Sequence, residues 1–143
     1  MRTPGASGSL HLMQTGQITI KPRYCECDPM GVVHHSVYPV WFEMGRTELL
    51  RSTGISYREL EEEGVFLAVV RLDVRYRQSA RYDDDLLLET EITSVGRVKI
   101  EHEYRLLRGD TVIATGRTTL ACLNSDGAAC PLPDRIHAAS DRS

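Results

Sequence analysis

Near Gly64 the chain changes its hydrophobic period, and that change limits the folds open to it more than any other feature. Before it, over residues 36–54, apolar residues fall at helical spacing. Val37, Trp41, Met44 and Leu49 lie along one face, and Tyr38, Phe42 and Gly45 widen it. Ser36 is the expected N-cap, Pro39 falls in the first turn, and Gly54 supplies a left-handed stop. A helix apolar over so much of its circumference is expected to be largely buried. The capping box Ser56-Tyr57-Arg58-Glu59 predicts a second, short helix that stops at Gly64.

After Gly64 the period is two. Leu72, Val74 and Tyr76 alternate with Arg71, Asp73, Arg75 and Arg77 in one predicted strand. Leu86, Leu88 and Ile92 alternate with Glu89, Glu91 and Thr93 in the next. Val98, Ile100, His102, Tyr104 and Leu106 form a third, and residues 111–123 a fourth after the Gly109-Asp110 turn. A first strand is expected over residues 17–24, where Ile18 and Ile20 alternate with polar neighbours. Three tight connections in succession predict antiparallel pairing. The order is strand, long buried helix, then four antiparallel strands. A curved antiparallel sheet wrapped around one central helix satisfies it, an α+β class with the pattern of a hotdog fold. Such a sheet leaves its outer face and edges uncovered, so a dimer or larger assembly is expected.

At 143 residues the chain is the size of one domain, with no internal repeat or interior linker. Residues 1–16 are expected to be a disordered lead with Met13 a candidate start, 17–136 the folded domain, and 137–143 a tail. A formal charge of -3 leaves no basic excess for nucleic acid. No apolar run approaches the ~20 residues of a membrane span, and the first 17 residues lack the apolar stretch of a secretory signal. Cys25, Cys27, Cys122 and Cys130 form neither a disulfide framework nor a C-x2-C zinc knuckle, so they are expected to be structural thiols in a reducing, cytoplasmic compartment.

The segment from Tyr24 to Tyr38, YCECDPMGVVHHSVY, carries the chemistry. Asp28 sits in a turn stiffened by Pro29 and loosened by Gly31, just ahead of the buried helix. The N–H groups near His35 and Ser36 are the orphan donors of that helix, where partial positive charge collects. A carboxylate beside such donors suits acyl transfer: it can activate water or attack directly, while the donors hold the developing oxyanion. The same residue also reads as a turn-forming Asx, since Asp-Pro opens many turns, and spacing alone favours that simpler role.

Tyr24, Asp28, Gly31, Val33 and Tyr38, followed by an aromatic-Glu helix at Phe42-Glu43, resemble the signature of the 4-hydroxybenzoyl-CoA thioesterase family. The chain is most similar to its branch of Tol-Pal-associated acyl-CoA thioesterases. Val69-Val70-Arg71 and Ala80-Arg81-Tyr82-Asp83-Asp84 extend that likeness, which covers about residues 17–136. The resemblance implies a cofactor-free hydrolase acting on an acyl-CoA, a tetramer built from dimers, and active sites at the dimer interface. Residue by residue it implies Asp28 as the catalytic carboxylate. His35 stands at the helix-start position whose backbone N–H polarises the carbonyl, and Tyr24 matches an active-site tyrosine. Gly31, Val69 and Val70 are expected to meet the substrate. His34 stands where the branch commonly has Tyr.

Other residues carry weaker expectations. Gly96, Arg97 and Lys99 mark a turn where related enzymes gather cations against CoA phosphates, and a plain exposed hairpin explains them equally well. His34-His35 lacks a third metal ligand, so no metal is expected. Glu43 and Glu48 lie on the central helix, where pairing with Arg46 or Arg51 is the ordinary role. Arg71, Arg75 and Arg77 read as a solvated strand face, and His102 as packed in the sheet. Two other functions share the outline: a hotdog enoyl-CoA hydratase, which needs an Asp-x4-His pair one residue shorter than Asp28 to His34, and a non-catalytic acyl-CoA-binding or scaffold protein.

Overall fold

The computed structural model describes residues 14–140, with the side chains of the last two of these left aside. Residues 1–13 of the expected lead and 141–143 of the expected tail lie outside the described residues. Strand β1, Thr15–Ile20, begins the fold and is followed by a 3₁₀ turn, Tyr24–Glu26. A second 3₁₀ turn, His35–Val37, runs directly into helix α1, Tyr38–Ser52. Then come α2 (Tyr57–Glu62), β2 (Phe66–Tyr76), β3 (Leu86–Val95), β4 (Lys99–Arg108), β5 (Thr111–Leu123) and a last helix, α3 (Asp134–Ser140). The sheet order is β1-β3-β4-β5-β2, antiparallel throughout, and α1 lies across one face in the hotdog arrangement.

Several boundaries differ from the sequence expectation. The first strand stops at Ile20, because Pro22 ends the ladder and Tyr24 opens the 3₁₀ turn. Ser36 is not the cap: the His34 ring accepts from the Ser36 N–H at 3.2 Å, and the α-helical part starts two residues later, with Pro39 in its first turn. The capping box at Ser56 and Glu59 forms as expected, and Gly54 takes φ +90° at the helix end. Only two of the three connections after β2 are tight. Residues 77–85 carry the chain from the β2 edge of the sheet to the far side, where Leu86 and Leu88 of β3 pair with Ile20 and Ile18. Helix α3 has no counterpart in the expected order.

Helix α1 meets the sheet closely. Phe42 stacks on Tyr104 with ring centroids 4.4 Å apart, directly over Gly116, where a Cβ would lie 2.3 Å from Phe42 Cε2. Gly45 sits as tightly against Thr90 and Leu88. One apolar cluster gathers Trp41, Phe42, Leu88, Tyr104, Leu106 and Ile113. A second joins Leu49, Leu60, Ile92, Ile100, Leu120 and, from α3, Ile136. Each Leu or Phe so buried contributes about 1.5–3 kcal/mol relative to exposure. Met44, expected on the buried face, is instead exposed, because the inner arc of α1 runs through Trp41, Phe42, Gly45, Arg46 and Leu49.

Candidate active site

Residues 26–34 form a small hairpin ahead of α1. At its base the His34 N–H donates to the Glu26 carbonyl at 2.9 Å. Cys27 bridges Val33, and the Asp28 N–H donates to the Val32 carbonyl at 2.8 Å. The Gly31 N–H closes the tip on the Asp28 carbonyl at 2.9 Å, with Gly31 at φ +84°, a conformation that favours glycine. The returning strand of the hairpin is fastened to the crossover: Val33 N–H donates to the Ala80 carbonyl at 2.8 Å, and Val32 bridges Arg81.

The two roles weighed for Asp28 fall on different oxygens of its half-buried carboxylate. Oδ1 accepts from the N–H groups of Met30 at 2.9 Å and Val32 at 3.3 Å, which is the Asx turn. Oδ2 takes no hydrogen bond among the described residues. The turn therefore orients the carboxylate and leaves one oxygen available.

His35 opens the 3₁₀ turn that leads into α1. Its carbonyl accepts from the Tyr76 hydroxyl of β2 at 2.8 Å, and its N–H meets no acceptor among the described residues. The neighbouring His34 ring, 4.2 Å from the His35 ring, is occupied by Ser36 as acceptor of its N–H and partner of its Oγ at 2.8 Å. Tyr76 is exposed at its strand yet packs edge-on against buried Tyr38 at 5.0 Å, and partial burial pushes its pKa up.

The other expected site residues lie further out. Tyr24 is 80% exposed, its ring edge-on to Tyr82 at 5.7 Å, with no hydrogen bond to Asp28. Val69 and Val70 are exposed at a bulge in β2, where the ladder to β5 skips a residue. Gly96, Arg97 and Lys99 form the β3–β4 turn. The Gly96 N–H donates to the Lys99 carbonyl, the Arg97 carbonyl accepts from Leu132, and neither cation has an ion-pair partner among the described residues. Glu48 pairs with Arg51, and Glu43 is exposed. Arg71, Arg75 and Arg77 are exposed as expected. Among the described residues no three His, Cys, Asp or Glu side chains gather as a metal site. A broad concavity lies on the sheet face away from α1, lined by Glu89, Arg105, Glu103, Arg117 and Arg75, and includes neither Asp28 nor His35.

Sequence reasoning missed Glu26 and Arg46. Glu26 is a buried carboxylate that accepts from the Arg23 N–H at 2.7 Å, the Arg23 guanidinium at 3.1 Å and the Trp41 indole N–H at 3.3 Å. Burial alone would raise its pKa, but these donors outweigh burial and hold the carboxyl below the usual range. Arg46 is buried under Tyr104, whose hydroxyl lies 3.5 Å from Nη1 and 2.6 Å from Thr118 Oγ1. Burial, then Arg46, push His102 down to about 3, so its ring stays neutral in the sheet. The only sequence signal for Glu26 was its position two residues before Asp28. An acid there reads as solvated until Trp41 is known to cover it.

Residues 22–139 match the family described as the thioesterase-like superfamily. The YbgC acyl-CoA thioesterase of Haemophilus influenzae is 34% identical over 106 residues, covering 73% of this chain and 78% of its own. A DHNA-CoA thioesterase from Staphylococcus aureus has the same fold, with TM-score 0.84, 28% identity and 87% of each chain covered. A hypothetical protein from Thermus thermophilus superposes with TM-score 0.83 at 35% identity, covering 87% of this chain and 95% of that one.

Proposed function

Because this chain belongs to the thioesterase-like superfamily, we propose that it hydrolyses an acyl-CoA to a free acid and CoA, with Asp28 as base or nucleophile. The observation that carries the proposal is the divided use of the Asp28 carboxylate, one oxygen fixed by the turn and the other open. Oδ2 either draws a proton from water or attacks the thioester carbon itself. The open N–H of His35 polarises the carbonyl and stabilises its developing negative charge. Tyr24 lines the approach, Gly31, Val69 and Val70 contact the acyl group, and Gly96, Arg97 and Lys99 take the CoA phosphates. No cofactor enters the reaction. The motif from Tyr24 to Tyr38 supports the Tol-Pal-associated branch of the 4-hydroxybenzoyl-CoA thioesterases, and the similarity to an acyl-CoA thioesterase supports an acyl-CoA substrate.

The working unit of this reading is a homodimer that pairs into a tetramer in the cytoplasm. Its support is strand β2, an edge of the sheet with exposed Phe66, Val69, Val70, Leu72 and Tyr76. No helix among the described residues is long and apolar enough to cross a membrane.

Asp28→Asn tests the chemistry. Asn keeps the turn-forming acceptor but can neither take a proton from water nor form an acyl anhydride. Thiol release is measured across benzoyl-, butyryl-, octanoyl- and palmitoyl-CoA, beside a melting curve. The expected result is a loss of about 10²–10⁴-fold in kcat with the melting transition kept. Turnover within about threefold of wild type would show that Asp28 is not the catalytic carboxylate, and Glu43 is then the next to examine.

A further inference from the structure

We propose that Glu26 is a positioning residue for this reaction, whose buried carboxylate ties the hairpin carrying Asp28 to the helix entered through His35. The inference rests on the reading of Asp28 given above and adds a residue to it. The hairpin buries Val33 in the core and is hydrogen-bonded to the rest of the fold through each of its two strands. Its returning strand is held by the crossover through Ala80 and Arg81. Its outgoing strand is held through Glu26, whose carbonyl takes the His34 N–H and whose carboxylate takes the Trp41 indole.

The anchor at Trp41 is rigid, since that ring is 1% exposed and packs against Tyr38 at 5.3 Å within the core. Glu26 is the one carboxylate among the buried polar residues described. A buried charge without partners would be costly, and three donors meet this one. A bond to Arg23 three residues back would have sufficed to close a local turn. The bond to Trp41, fifteen residues ahead, does something else: it fixes the hairpin relative to α1. Asp28 and the His35 N–H stand on the two bodies so joined. Without the tie, the hairpin keeps its internal bonds and pivots on the Ala80 attachment, and a displacement of about 1 Å between reacting groups can cost on the order of 100-fold.

Glu26→Gln removes the charge at constant size and puts an amide N–H₂ group opposite donors. Its kcat and KM are measured with the acyl-CoA of the panel above that releases thiol fastest, well below the melting transition. Trp41 is the chain's single tryptophan, so its emission reports the broken contact directly. The expected result is a kcat about 10–100-fold lower, a KM within threefold of wild type and a changed Trp41 emission. Glu26→Asp keeps the charge but shortens the reach, and is expected to restore part of kcat. A Glu26→Gln variant with kcat within threefold of wild type overturns the proposal, as does a loss that vanishes once activity is corrected for the folded fraction. If Glu26→Gln does not fold, Trp41→Phe removes the same tie from the other side: lowered kcat at constant KM supports the proposal, and unchanged kcat overturns it. An active Asp28→Asn would instead refute the reading of Asp28 itself, so the two failures are told apart.

Discussion

Strands β2 and β3 carry the same alternation in sequence and stand in opposite surroundings. In β3 each of Leu86, Leu88, Thr90 and Ile92 is buried, because β1 and β4 flank the strand and α1 covers it. In β2 the apolar side chains of the alternation are more open, with Leu72 46% and Tyr76 48% exposed and Val74 only partly buried. The strand has β5 on one side and no other strand among the described residues on the other. Alternation reports which side chains share a face of a strand. What that face is worth depends on the strand's place in the sheet, which alternation does not encode.

The sharpest way to break this contrast is by truncation. Leu88→Ala removes a side chain with no exposure and is expected to cost about 2–5 kcal/mol in a urea titration. An equal cost for Leu72→Ala in a monomeric sample would end the comparison.

A second test uses pH on the inner strands. His102 of β4 faces the core and is held neutral, its pKa pushed down to about 3 from an ordinary value near 6.5. The unfolded chain therefore binds a proton that the folded chain refuses. Stability is complete above about pH 6.5 and is lost as pH falls from there toward 3, by about 1.4 kcal/mol per unit. Between pH 7 and 5 the expected loss is about 2 kcal/mol, read from denaturant midpoints. A His102→Gln variant is expected to flatten that slope, and an unaltered slope would place the titrating group elsewhere.

Exposed positions are expected to affect function while leaving stability nearly alone. The double variant Arg97→Ala with Lys99→Ala is expected to raise KM for an acyl-CoA about tenfold, equivalent to ~1.4 kcal/mol, with a smaller change in kcat. An unchanged KM would move the phosphate site away from the β3–β4 turn. The smallest effect on folding is expected from Leu72→Asp, within about 0.5 kcal/mol for the isolated chain. Its consequence is in assembly: sedimentation should show the wild type as dimer or tetramer and the variant as monomer. A wild-type chain that sediments as an active monomer at micromolar concentration would remove the proposed role of β2.

Local signals carried much of this fold, and the larger misses were non-local. The capping box at Ser56, the stop at Gly54 and the limits of β5 follow from neighbours in sequence, and each formed as expected. The tight link expected between β2 and β3 failed because nothing within residues 77–85 records that β1 is waiting at the far side of the sheet. Within the candidate site, the turn at Asp28 was legible from Pro29 and Gly31. The Glu26–Trp41 bond was not, since it joins residues fifteen apart whose meeting depends on how α1 packs. Met44 was misplaced for a related reason: helical spacing gives the width of an apolar arc, and only packing decides where its centre lies.

The strand order also sets a timetable for synthesis. Thr15 pairs with Glu91 and Ile20 with Leu86, so each residue of β1 emerges 66 to 76 positions before its partner. At ~5–20 residues per second, a ribosome leaves the nascent β1 without its mate for roughly 3–15 s. For that interval both margins of β1 are open to other chains. The two hairpins that follow β3 close almost as soon as they are made. Strand β2 waits as well, with Phe66 pairing only with Leu123, so the vulnerable interval opens early and ends only when β5 has been translated.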